Sequence, residues 1–238
     1  MGLRHLFIVY RTRKLKDDFI LSASHDMKTP LTSIRMYAET LFEGKVSDEV
    51  KVQHYLKTII EKTDLLSNYI NNILDFSKIS HGQVKFQFEP MLISDLLNQI
   101  QESFQAIYPE NKLNISFDEK LTGEYAAVDN VYFIRAILNL LINAQNYSSK
   151  DKIIDLKCQK SDSLWILIVQ DYGEGIAKSE LKKIFKKYYR SKYQKNKLGT
   201  GLGLYIVDKI ISAHQGKIIL ESEVGKGSRF TVEMELNK

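Results

Sequence analysis

The 238-residue sequence predicts two architectures in series: an all-α helical hairpin that pairs into a dimeric four-helix bundle, then an α+β domain with helices on one face of a largely antiparallel sheet. Three observations predict this. From about residue 8 to 79, apolar residues recur at alternating steps of three and four, the period of a helix burying one seam. After "KISHG" several runs shorten to a period of two. Strands and helices then mix without regular βαβ alternation, which points to an α+β layer.

In the first helix Ala23, Met27, Pro30, Ile34, Tyr37 and Leu41 follow steps of 4, 3, 4, 3 and 4. The segment "FEGKVSDE", residues 42–49, breaks the pattern, and Gly44 lets the chain reverse. Val52, Leu56, Ile59, Thr63, Leu66, Ile70 and Ile73 then follow steps of 4, 3, 4, 3, 4 and 3. Two helices cannot enclose a core by themselves, so the two seams predict a homodimer.

Beyond the hairpin, "VKFQFEP" alternates like a strand and "ISDLLNQIQESF" is helical. "LNISF" and "YAAV" read as short strands, and residues 130–146 as a helix. "KIIDLKCQK" and "LWILIVQD" form a strand pair, residues 203–214 a helix, and "GKIILESE" with "SRFTVEMEL" a closing hairpin.

Composition excludes several classes. A chain that is 44% hydrophobic and 26% charged is an ordinary soluble one, able to bury a core. The single cysteine, Cys158, lies in an alternating strand run, so it reads as a buried thiol and permits neither a disulfide framework nor a cysteine metal cluster. No apolar run approaches the roughly 20 residues of a membrane span. The N-terminal "LFIVY" followed by "RTRKLK" is compatible with the trimmed cytoplasmic end of one. The net charge of +5 is local: residues 177–198 hold nine basic residues against the single acid Glu180. That segment is either a solvated lysine face or a lid over a polyphosphate, and no nucleic-acid partner is expected.

Within the first helix, "SHDMKTPL" places His25 opposite the seam, about 180° from the mean direction of Ala23 and Met27. It faces solvent. Thr29 shares its face, and Asp26 lies about 100° around. Pro30 lacks the N–H that would bond the carbonyl of Asp26, which bends the helix one turn past the histidine. The bend is a tolerated kink or a deformable site where another domain approaches.

The second region supplies polar motifs. "DYGEGI" sets Asp171 at a strand end, with Gly173 and Gly175 allowing close backbone approach. "GTGLGL", residues 199–204, puts three alternate glycines before a helix, where free N–H groups suit phosphate. The sequence is not a P-loop. Asn139 and Asn143, four apart in "NLLINAQNYS", share a helix face, and their amide oxygens suit a magnesium ion that keeps water and phosphate ligands.

Taken together, "HDMKTP", "NLLINAQNYS", "DYGEGI", "IFKKYYRS", "GTGLGL" and "GKGSRF" resemble the H, N, G1, F, G2 and G3 boxes of sensor histidine kinases of two-component systems, over roughly residues 15–236. Each box alone is ambiguous; six in this order are specific. The resemblance implies a linker or trimmed membrane-proximal segment over 1–14 and a dimerisation and histidine phosphotransfer domain over 15–80. It also implies a catalytic ATP-binding α+β sandwich of the gyrase/Hsp90/histidine kinase/MutL type over 81–238.

It further implies that His25 is the phosphoacceptor, Asp26 the acid that orients it and draws off its proton, and Thr29 the residue positioning water for dephosphorylation of a partner regulator. Asn143 matches the Mg2+ ligand, and Asn139 and Tyr147 line the ATP site. Asp171 matches the carboxylate that reads the adenine amino group, beside Gly173 and Gly175. Phe185, Tyr189 and Arg190 match the F box, and Gly199, Thr200, Gly201, Leu202 and Gly203 the phosphate-side glycine segment. Asn146 stands where many relatives carry a phosphate-contacting lysine, a role open to Lys150 or the lysines of the lid. The implied partners are a second copy and a response regulator receiver domain. The implied location is the cytoplasmic portion of a bacterial inner-membrane protein, with its sensor region outside this sequence. The alternatives are a phosphatase-dominant or non-catalytic scaffold and an ATP-driven clamp of the same nucleotide-binding class.

Overall fold

The computed structural model describes residues 2–111, 113–148, 153–191 and 201–236, with side chains from Phe19 onward except Ser22. Two compact units are present, one built on residues 1–77 and the other on 78–195 and 203–238.

The first unit is a helical hairpin, α1 (Gly2–Phe42) and α2 (Glu49–Ser80). At the end of α1, Gly44 takes φ +63°, so that the Lys45 N–H reaches the Thr40 carbonyl (3.3 Å) and its own N–H that of Leu41 (3.1 Å). This satisfies carbonyls that a helix end leaves open. Asp48 starts α2, its Oδ1 accepting from the Val50 N–H at 2.9 Å. The rings of Tyr37 and Tyr55, 4.7 Å apart, join the two helices.

The predicted seams are partly covered. On the α1 seam Ala23 and Pro30 are buried. On the α2 seam Leu56 and Ile70 remain exposed, at 42% and 46%, and Ile60 and Leu74 beside them extend the open stripe, at 61% and 50%. An antiparallel pair covers only one side of an apolar arc, so the rest of the α2 seam stays open within one chain.

Helix α1 continues without a break through Pro30. Around that residue hydroxyls turn back onto the preceding turn: Thr29 donates to the His25 carbonyl (3.3 Å), Thr32 to that of Lys28 (2.8 Å) and Ser33 to that of Thr29 (3.2 Å). Such back-bonding often bends helices.

The second unit is a five-stranded sheet with three helices against it. Strands β2 (Leu113–Phe117), β4 (Ile154–Ser161), β5 (Leu164–Gln170), β6 (Lys217–Glu223) and β7 (Gly227–Glu235) lie in the order β2-β4-β5-β7-β6. Only β2 and β4 are parallel. A separate ladder pairs β1 (Glu89–Leu92) with β3 (Tyr125–Val128). Helix α3 (Ile93–Ile107) buries Ile93, Leu96, Leu97, Ile100 and Phe104, one helical face. Helix α4 (Asn130–Tyr147) contacts both α3 and α5 (Gly203–Ala213), and its Phe133 ring lies 5.5 Å from Trp165 of β5. Phe104, Phe133 and Trp165 are fully buried, each contributing roughly 1.5–3 kcal/mol by leaving water.

One predicted strand moves. The ladder begins at Glu89, so most of "VKFQFEP" is not strand. Its alternation serves ring packing: Phe86 and Phe88 stand edge-on to His214 at 5.7 and 5.0 Å, while the Gln87 N–H donates to Asp129 Oδ2 at 2.8 Å.

Candidate functional site

On the hairpin, the His25 side chain is 81% exposed, as the helical period predicts. With Lys28, Thr29, Thr32 and Ser33 it lines an open depression on one helix face. Asp26 is buried, and its Oδ1 lies 3.7 Å from His25 Nδ1. A buried carboxylate facing one nitrogen of an exposed imidazole can accept a proton from it while the other nitrogen points outward. The periodicity placed Asp26 beside His25 without indicating that it is buried.

In the second unit, the end of β5 presents Asp171, only 3% exposed. Its Oδ1 accepts from the backbone N–H groups of Gly173 (2.9 Å) and Ser228 (3.1 Å), which orients the carboxylate. Close backbone packing explains the glycines: a side chain at Gly173 would run into the Tyr147 carbonyl, and one at Gly175, where φ is +69°, into that of Glu223. The Glu174 N–H donates to the same Tyr147 carbonyl at 3.2 Å, locking the end of α4 to this loop. The neighbouring Tyr172 donates its hydroxyl to Asp155 Oδ2 at 2.7 Å, and Asn114 donates to Oδ1 at 2.9 Å. Burial alone would raise the Asp155 carboxyl, but the bonds from Tyr172 and Asn114 and the charge of Lys157 hold it below the usual range. The same bond, with burial, raises the Tyr172 hydroxyl.

Helix α4 carries Asn139, buried, and Asn143 and Tyr147, half-buried. A side chain at Gly203, the first residue of α5, would sit 3.4 Å from Asn139 Oδ1, so the N-terminus of α5 meets this face of α4. Burial pushes the Tyr147 hydroxyl above its usual range, an effect that the charge of Arg190 opposes and that of Glu174 reinforces. Phe185 packs edge-on to Phe230 at 6.5 Å. Leu202 is buried, Gly201 takes φ +65°, and Gly199, Thr200 and Lys150 lie outside the described residues. Among the described residues no group of three or more His, Cys, Asp or Glu could hold a metal ion. The polar face of Asn139 and Asn143 fits Mg2+ brought in with phosphates, because that ion keeps waters and needs few protein ligands.

Three polar groups escaped the sequence reading. Glu180, 5% exposed, accepts from the Tyr189 hydroxyl (2.8 Å) and from that of Ser191 (2.6 Å). His214 and Asp129 form a second buried pair joining α5, α4 and the segment before β1. A lone acid in a lysine run was the only sequence signal for Glu180.

Residues 128–238 match the family described as Histidine kinase-, DNA gyrase B-, and HSP90-like ATPase, and residues 15–82 match the His Kinase A (phospho-acceptor) domain. A phosphoacceptor hairpin followed by such an ATPase fold defines a class, and the chain belongs to it: the sensor histidine kinases of two-component systems. Among its relatives, the sensor protein SrrB of Staphylococcus aureus is 28% identical over 225 residues, 93% of this chain. This chain spans 38% of the length of that relative. In fold it is similar to the histidine kinase AdeS of Acinetobacter baumannii (22% identity, TM-score 0.62, covering 90% of this chain and 98% of that one). It is also similar to ShkA, solved full-length in complex with AMPPNP (21%, 0.63, 93% and 46%). Among the described residues no helix is long and apolar enough to cross a membrane.

Proposed function

We propose that this chain is a kinase core that phosphorylates itself on His25 from Mg-ATP and passes the phosphoryl group to an aspartate of a response regulator. The observation that carries this reading is the outward imidazole of His25 with the buried Asp26 carboxylate at its Nδ1. Asp26 faces Nδ1, so Nε2 attacks the γ-phosphorus in line; the N–P bond forms as the bond to the ADP oxygen breaks, and the imidazole proton passes towards Asp26. The resulting phosphoryl-imidazole then loses its phosphoryl group to a carboxylate oxygen of the regulator.

Asp171 accepts from the adenine amino group, and Asn139, Asn143, Tyr147, Tyr189 and Arg190 with the 199–203 glycine segment hold the remaining nucleotide. Mg2+, when bound at Asn143, supplies charge neutralisation for the phosphates. Residues 15–80 act as the dimerisation and phosphotransfer domain and 81–238 as the catalytic domain. The open Leu56, Ile60, Ile70 and Leu74 are the surface a second hairpin covers. Thr29, exposed beside His25, serves dephosphorylation of the regulator. The chain works on the cytoplasmic side of a membrane-anchored protein, a reading supported by the basic run that follows "LFIVY".

Incubation with γ-labelled ATP tests the central claim. Label that is acid-labile, base-stable and lost in His25→Gln is expected; label that persists in His25→Gln places the acceptor elsewhere.

A further inference from the structure

We propose that Glu180 is a positioning residue for this reaction, holding Tyr189 and Arg190 at the nucleotide pocket through hydrogen bonds from Tyr189 and Ser191. The proposal rests on the nucleotide reading given above.

A carboxylate buried to 5% exposure is costly unless hydrogen bonds replace its water. Both oxygens of Glu180 accept from one short segment, Oε1 from the Tyr189 hydroxyl at 2.8 Å and Oε2 from the Ser191 hydroxyl at 2.6 Å. Short O–H bonds to an ionised acceptor are among the strong ones. The neighbouring lysines 178, 182, 183, 186 and 187 are all exposed, so Glu180 is the buried charge of this segment among the described residues.

The other end of Glu180 is anchored. Its carbonyl accepts from the N–H groups of Lys183 (2.7 Å) and Ile184 (3.1 Å), Ile184 is buried, and the adjacent Phe185 packs on Phe230 of β7. Two residues before Phe230, Ser228 holds Asp171. The same strand therefore steadies both the Asp171 carboxylate and, through Phe185, the turn that carries Glu180.

Tyr188 takes φ +63°, a conformation that a bulky residue keeps only when its surroundings hold it there. Arg190 follows two residues later, between the two residues tied to Glu180, and its charge lowers the Tyr147 hydroxyl at the end of α4. Glu180 thus fixes where that positive charge sits without touching the nucleotide.

The test compares Glu180→Ala, Glu180→Gln, the pair Tyr189→Phe/Ser191→Ala, and Asp171→Asn in the full chain. ATP affinity is read with a fluorescent ATP analogue, and KM and kcat by autophosphorylation. Glu180→Ala is expected to raise the KM for ATP about tenfold or more, with a smaller change in kcat, as loss of bonds to a buried charge implies. Glu180→Gln, which keeps an acceptor, should recover part of this. The hydroxyl-deleted pair should mimic Glu180→Ala and add little to it, since both remove one network. An unchanged KM in Glu180→Ala at any unfolding temperature, or effects that simply add, overturns the proposal. Should Glu180→Ala not fold, the hydroxyl-deleted pair decides alone, an unchanged KM counting against the proposal. Asp171→Asn separates the two levels: if it too leaves ATP affinity unchanged, the pocket reading fails, whereas weakened binding there with an unchanged Glu180→Ala removes only the role of Glu180.

Discussion

The backbone N–H of Asp129 donates to Nε2 of His214 at 3.0 Å across 85 residues of sequence, while Nδ1 of the same ring faces the Ile210 carbonyl at 2.8 Å. A backbone N–H can only donate, so Nε2 carries no proton and Nδ1 does. The imidazole is held neutral. Asp129 in turn caps α4 through Tyr132 (3.1 Å) and takes the Gln87 N–H, so one buried pair joins α4, α5 and the segment leading in from the hairpin.

Burial pushes the His214 imidazole below its usual value, and the bond to the Ile210 carbonyl and the charge of Asp129 only partly offset this. The unfolded chain therefore takes up a proton at a higher pH than the folded one. The contribution to stability is complete above about pH 6.5 and is lost as pH falls from there towards the depressed folded value. Thermal unfolding from pH 8 to 5 should show a fall below pH 6.5 that is shallower in His214→Gln. Parallel curves for the two proteins would remove His214 from the account.

Around the phosphoacceptor, Asp26→Asn should depress autophosphorylation by about 10² to 10⁴, the usual worth of a positioned base. Thr29→Ala should leave autophosphorylation largely intact and slow dephosphorylation of a cognate regulator. Labelled-ATP assays on the folded dimer check the first part. If Thr29→Ala were as inactive as His25→Gln, Thr29 would belong to the kinase step itself.

For the nucleotide pocket, Asp171→Asn should weaken ATP binding by about 1–3 kcal/mol, the cost of disturbing a buried acceptor. Asn143→Ala should remove the dependence of binding on Mg2+. Calorimetric titration with and without Mg2+ reads both, and identical isotherms for both variants and the parent would refute the assignment.

Charge placed on the open α2 stripe, as in Ile70→Glu with Leu74→Glu, should separate the protomers while the ATP-binding unit stays folded. Both side chains are about half exposed in the single chain, so the cost appears only where a second hairpin covers them. Sedimentation at micromolar concentration distinguishes monomer from dimer. A parent protein that sediments as a folded monomer would count against the bundle.

Much of this was legible in the chain. The steps of three and four placed α1 and α2, and about 100° per residue turned His25 outward, because both depend on backbone geometry repeated locally. Asp171, Gly173 and Gly175 were legible for a similar reason: a strand end followed by glycines is a local pattern. The exception among local patterns is "VKFQFEP", where the alternation is real but Phe86 and Phe88 meet an aromatic cluster instead of a neighbouring strand.

The sequence by itself determined the two-part architecture, the outward histidine, and the order of carboxylate, amides and glycines along the second unit. Tertiary structure alone decided that Asp26 is buried, that Glu180 holds Tyr189 and Ser191, and that His214 is clamped neutral by Asp129. Periodicity records which way a side chain leaves its own helix or strand. Burial and hydrogen-bond partners depend on what another element brings to the same place, and no local pattern carries that information.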